Sequence, residues 1–321
     1  MITKAYLLPG MPHPLLCPEK NRGWGLLRQA YDKVRSEIEQ SEAELILIYS
    51  TFWPSVIGHQ IFARAEAQWT HVDEEFHALG SIPYRFKMDE AFGELYKDKC
   101  LARKLHARTV NYQGFPVDTG SVVALKLLNP ENRLKAVITS SNVYSDRAET
   151  LILGKAAREA LESCGKKAVA LVISALSNRL HQGVIEPQTD RIHSLKDDEW
   201  NRKFLEFLEQ GRLEDVAQLS RQFHREARVH KVNNFKPFWW LSSLMGQSNL
   251  FKGQVFEYQP VCGTGAAVVG LESAPVAARD LEFDETDPET YSGERNVLAP
   301  PVSEAPLENE AEAEGEVGRG V

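Results

Sequence analysis

Over its first 270 residues the chain alternates short apolar runs with longer stretches in which apolar side chains return every three or four positions. The runs at 5–8, 45–49, 136–139, 168–173, 254–258 and 266–269 have strand length, and they predict a sheet largely hidden from water. Between them, residues 24–40 set Leu27, Ala30, Tyr31, Val34 and Ile38 on one helical face. Residues 146–163 open on Asp146 and carry Ala148, Leu151, Ile152, Ala156 and Ala160 in the same way. Both stretches predict amphipathic helices laid over a sheet. Residues 197–246 are helix-rich, with Phe204, Leu205 and Leu208, then Val216, Leu219 and Phe223, then 238–245. The alternation predicts one α/β domain over 1–270, a mixed, largely buried central sheet flanked by helices.

After 270 the pattern stops. Pro275, Pro288, Pro300, Pro301 and Pro306 are followed by Glu308, Glu310, Glu312, Glu314 and Glu316, with few large apolar side chains to offset the entropy of ordering. A disordered acidic tail is expected over 271–321. Charge sharpens this division: the net charge of -8 on 321 residues comes from the tail, which has 14 acidic and 3 basic side chains, while 1–270 carries 31 and 34. A nearly neutral body without clustered Lys and Arg excludes a nucleic-acid partner. Mean hydropathy is -0.34, and no apolar run approaches the ~18 residues of a membrane helix. The first residues lack a secretory signal, so the expected location is the cytoplasm. Cys17, Cys100, Cys164 and Cys262 form no Cys-x-x-Cys pair and are expected as free thiols.

In an α/β sheet ligands gather where strands end, so three loops carry the candidate chemistry. The first, Pro9-Gly10-Met11-Pro12-His13-Pro14, mounts one imidazole on a stiff backbone. The second runs from Tyr49-Ser50-Thr51-Phe52-Trp53-Pro54 to Gly58-His59-Gln60, with aromatic side chains at a strand end and a histidine seven positions beyond Phe52. The third is Ser174-Ala175-Leu176-Ser177-Asn178-Arg179-Leu180-His181. Ser177 and His181 lack an orienting acid and a nucleophile elbow, which excludes a hydrolase triad. Gly263-Thr264-Gly265 precedes a strand where phosphate binding needs a helix N-terminus. His71, Asp73, Glu74, Glu75 and His77 lie close together, and a solvated helix start accounts for them better than a metal patch.

Through Gly10-Met11-Pro12-His13, Ile48-Tyr49-Ser50-Thr51 before Trp53-Pro54, Ile57-Gly58-His59-Gln60, residues 194–203 and Phe256-Glu257-Tyr258-Gln259-Pro260, the body resembles the class III extradiol ring-cleavage dioxygenases. The resemblance covers about 1–270 and leaves the tail unmatched. It implies iron(II) held by two histidines and a glutamate, with open positions for oxygen and an aromatic substrate, and a further histidine as acid and base. Carried onto this chain, the first ligand falls on His13. The second falls on Phe52, whose phenyl has no lone pair to offer. The acid–base position falls on Asn178, an amide, and the glutamate position falls approximately on Lys236, an ammonium that repels iron.

The expectation is therefore a non-catalytic subunit without a cofactor of its own. The resemblance implies that its partner is a paralogous iron(II)-bearing subunit in an α2β2-like assembly, and that the substrate is a 2-aminophenol or a catechol-like aromatic. Two other readings stay open. An autonomous enzyme would take His13 and His59 with a carboxylate such as Asp118 or Glu226. A stand-alone interaction protein would work through its Glu-rich tail.

Overall fold

Five of the six apolar runs form the middle of an eight-stranded sheet, and the sixth, 254–258, lies on its edge strand. The computed structural model describes residues 1–178, 185–227, 235–247 and 249–274. Its strands are β1 (Ile2–Leu8), β2 (Leu45–Ser55), β3 (His59–Phe62), β4 (Glu66–Val72), β5 (Ser81–Lys87), β6 (Ala107–Val110), β7 (Lys135–Asn142), β8 (Ala168–Ile173), β9 (Phe251–Val261) and β10 (Thr264–Ser273). The main sheet runs β6-β3-β7-β2-β8-β1-β10-β9, and β4 pairs with β5 in a separate two-stranded sheet. β7, β2, β8 and β1 are mutually parallel, whereas β10 is antiparallel to both β1 and β9. The sheet is thus mixed, as expected.

Side chains alternate between two cores because successive strand residues point to opposite faces. Ile46, Ile48, Tyr6 and Leu8 pack on one face, and Leu45, Leu47, Ala5 and Leu7 on the other. The helices are α1 (His13–Leu16), α2 (Arg22–Gln40), α3 (Glu90–Ala102), α4 (Thr119–Leu128), α5 (Arg147–Cys164), α6 (Leu195–Glu209), α7 (Leu213–Ala227) and α8 (Lys236–Met245). Of these, α2 and α4 cover the first face, and α3, α5, α6, α7 and α8 the second. α5 starts at its N-cap Asp146, whose carboxylate accepts from the Glu149 N–H, and ends at Gly165 in the left-handed region. Its buried stripe runs through Leu151, Leu153, Ala156, Ala157, Ala160 and Leu161, so Leu153 takes the place expected for Ile152, which is half-buried.

All six expected strands are present, and four more were not anticipated: β3, β4, β5 and β6. Residues 71–77 are a second correction. They form the end of β4 and a turn into a short 3-10 helix (His77–Leu79), not a solvated helix start. β10 also carries the ordered body to Ser273, three residues past the expected boundary. The remainder of the acidic tail, 275–321, lies outside the described residues, as does His181. Among the described residues no helix is long and apolar enough to cross a membrane.

Candidate active site

Because β7, β2, β8 and β1 are parallel neighbours, their C-terminal ends share one edge of the sheet. That edge collects the segments bearing His13, Phe52 and Asn178, and the backbone that Lys236 reaches.

His13 begins α1 and is 4% exposed. Its imidazole lies edge-on to Trp24 and Phe76, each 4.6 Å away between ring centroids, and its Nε2 is 3.3 Å from the Cys262 Sγ. Burial lowers its pKa to about 4, outweighing the attraction of the Asp190 and Asp73 carboxylates. Burial, reinforced by Asp190, pushes the Cys262 thiol up to about 12. A neutral thiol and a neutral imidazole therefore share this contact, and the pair is no thiolate nucleophile. Cys262 lies on the turn that lids His13, and Asp190 holds that turn in place: it accepts from the Cys262 and Gly263 N–H groups, both at 2.8 Å, and from Trp24 Nε1 at 3.2 Å. Cys262 and Gly263 both have positive φ in the β9–β10 turn, and the two N–H groups of that turn converge on the one carboxylate.

Phe52 sits where the pairing of β2 with β7 breaks, between Ser50 and Pro54. Its ring is half-buried against two glycines. A Cβ on Gly10 would collide with it, and one on Gly120 would lie 3.0 Å from it. The backbone at Phe52 is set by Ser50, whose Oγ accepts from the Phe52 N–H and donates to Asp118 Oδ1 at 2.7 Å. Asp118 is the N-cap of α4 and also accepts from the Ser121 N–H. Burial raises the pKa of its carboxyl.

Asn178 follows β8, and its Oδ1 accepts from the Thr264 hydroxyl at 3.3 Å. Beside it, the Ser177 N–H and Oγ are both held by the Asn201 amide, which in turn donates to the Tyr258 hydroxyl. Tyr258 donates to Asp198 at 2.8 Å. Asp198, Asn201 and Tyr258 thus support the end of β8, a role their positions alone did not suggest. Their only signal was membership of the 194–203 and 256–260 segments.

Lys236 begins α8 and is 1% exposed. Its Nζ donates to the carbonyls of Asn142 and, at 2.9 Å, Val143, just past β7. Nearby, Glu149 Oε1 lies 3.0 Å from His59 Nε2. That bond, with further attraction from His59 and Lys236, holds the Glu149 carboxyl below the usual carboxylate range. His59 lies on β3, four strand spacings from β1, a separation on the order of 19 Å. The structure therefore does not bring His13 and His59 to one ion. Glu226 falls on α7, but its side chain lies outside the described residues. His71 Nε2 bonds the Thr119 hydroxyl at 2.6 Å, and that hydroxyl donates to Asp73, so these two polar groups serve the start of α4.

The side chains at the three positions that the resemblance assigns to iron do not fit a ferrous ion: one imidazole has its Nε2 engaged by a thiol, and the other two present a phenyl ring and a buried ammonium, while the acid–base position presents an amide tied to Thr264.

Residues 5–269 match the family model described as the catalytic LigB subunit of aromatic ring-opening dioxygenase. The chain belongs to this family. It is 32% identical over 270 residues to a 2-aminophenol 1,6-dioxygenase alpha subunit from Pseudomonas sp, covering 84% of this chain and 98% of the relative. It is 29% identical over 286 residues to the beta subunit of the same name, covering 84% and 93%. A 3,4-dihydroxyphenylacetate 2,3-dioxygenase from Escherichia coli is 23% identical over 168 residues, half of this chain and 60% of that one. The crystal structure of the uncharacterized protein JW3007 from Escherichia coli K12 shares the fold, with a TM-score of 0.58 over 84% of this chain and all of that chain, at 13% identity.

Proposed function

We propose that this chain is a non-catalytic subunit of an extradiol ring-cleavage dioxygenase, paired with a paralogous subunit that carries iron(II) and opens the ring of a 2-aminophenol or catechol-like substrate. The observation that carries the reading is the Phe52 ring, seated between Gly10 and Gly120 where the second metal ligand is expected. Two glycines that leave room for a phenyl group mark the substitution as accommodated by its surroundings. Lys236 supports the same reading, because a buried ammonium bonded to two carbonyls puts a positive charge where the resemblance implies a glutamate ligand. Similarity to both an alpha and a beta subunit of one dioxygenase supports a paralogous partner.

The test is to purify the chain alone and together with a LigB-family subunit bearing both histidines and the glutamate. Metal content and oxygen uptake on 2-aminophenol are then measured. The expected result is neither iron nor uptake for the lone chain, and both for the complex. Stoichiometric iron with turnover in the lone chain would reject the proposal.

A further inference from the structure

A cleft opens on the β4–β5 sheet. It has a volume of about 690 Å³ and is walled by Arg64, Gln68, Trp69, Tyr84 and Gln113. Trp69 stands opposite Tyr84 in the strand register and is 56% exposed. A large indole face left open to water in this way is a surface suited to a flat ligand.

The polar groups of the cleft are unequal in sign. Its one carboxylate, Glu66, is committed to Arg85 at 2.8 Å. Among the described residues no hydrogen bond or ion pair engages the Arg64 guanidinium, and the amides of Gln68 and Gln113 and the Trp69 Nε1 are likewise unengaged. The walls therefore offer a planar fork of donors, further N–H groups and a π face, with no uncommitted anion. A guanidinium meets a carboxylate through two parallel hydrogen bonds, and an indole face takes a ring or a conjugated chain. The volume is that of an ordinary small-molecule site.

We infer that this cleft binds a planar aromatic or conjugated carboxylate, its acid group on Arg64 and its flat part on Trp69. The ligand chemistry follows from the walls: a cation would be repelled by Arg64, and an aliphatic acid would leave the indole face uncovered. The site is separate from the proposed subunit role and stands whether or not the chain partners a dioxygenase.

Calorimetric titration of the full chain with benzoate, benzamide and acetate tests the inference. Benzoate is expected to saturate, with benzamide and acetate each at least about tenfold weaker. Arg64→Gln should bring benzoate down to the level of benzamide, Arg64→Lys should recover part of the loss, and Trp69→Leu should bring benzoate down toward acetate. Gln113→Trp, which narrows the cleft, should weaken benzoate binding while circular dichroism confirms the native fold. The inference is overturned by an absence of saturable benzoate binding up to about 10 mM, by equal affinity for benzoate and benzamide, or by benzoate affinity that Arg64→Gln and Gln113→Trp leave unchanged.

Discussion

His13, at the head of α1, and His59, on β3, are both almost completely buried, yet their surroundings differ in kind. Around His13 lie two aromatic edges and a thiol, and the ring is driven to the neutral form. Around His59 lie Glu149 and, through it, Lys236, so this side of the sheet holds a buried polar network anchored on backbone carbonyls. Burial alone therefore says little about what an imidazole does; the partners that enter with it decide. Two histidines that a linear reading offers to one metal are built into separate local structures, one apolar and one ionic.

The largest expected effect breaks the ionic side. Lys236→Met leaves the Asn142 and Val143 carbonyls without their donor and removes a countercharge from Glu149. Each buried carbonyl left without its donor costs about 1–3 kcal/mol. Urea unfolding should show the drop in midpoint, and hydrogen exchange should accelerate around 142–150 while 9–24 stays protected. Equal acceleration in both segments would mean that the two sides are one cooperative unit.

Next in size, Phe52→Ala attacks the packing near His13 by emptying the space between Gly10 and Gly120. A half-buried aromatic truncation of this kind costs about 2–4 kcal/mol. The same urea experiment reads it, with exchange now accelerating in the 9–13 loop. Retention of wild-type stability would show that the phenyl is a passive filler.

Acid sharpens the contrast. The folded pKa of His13, about 4, lies below the ordinary 6.5, so the unfolded chain takes up a proton before the folded one does. Stability from this group is present above pH 6.5 and falls as the pH drops toward about 4, by up to about 3 kcal/mol. His13→Asn should flatten that part of the stability profile measured by urea unfolding across the range. An unchanged slope would place the acid sensitivity elsewhere.

The smallest effect concerns the lid over His13. Asp190→Ala strips the Cys262 and Gly263 N–H groups of their acceptor, at a cost of about 1–2 kcal/mol. It also removes a carboxylate that holds the Cys262 thiol up, so reaction of Cys262 with a disulfide reagent should speed up. An unaltered thiol rate would show that the β9–β10 turn keeps its place without the clamp.

Part of this picture was legible in the linear chain. All six strands appear where expected: β7, β2, β8, β1 and β10 are apolar runs whose burial on both faces leaves little choice of role, and β9 closes one edge of the sheet with intermediate burial. β5 was equally visible in principle, since Ser81–Lys87 alternates exposed and buried residues without a break, but a half-buried strand lacks the continuous apolar run that marks a central one. β3 has only four residues, including His59 and Gln60, and its strand character comes from pairing with β6 rather than from its own composition.

For the site, side-chain chemistry alone was enough to show that Phe52, Asn178 and Lys236 differ from the residues the family resemblance implies at those positions, because donor identity is covalent and needs no fold. Only the tertiary structure decided what those residues do instead. Cys262 meets His13 across 249 positions and Lys236 meets Val143 across 93, and contacts of that span are set by how strands and helices stack. It likewise decided that His13 and His59 stand strands apart, since proximity along a chain carries no information about position across a sheet.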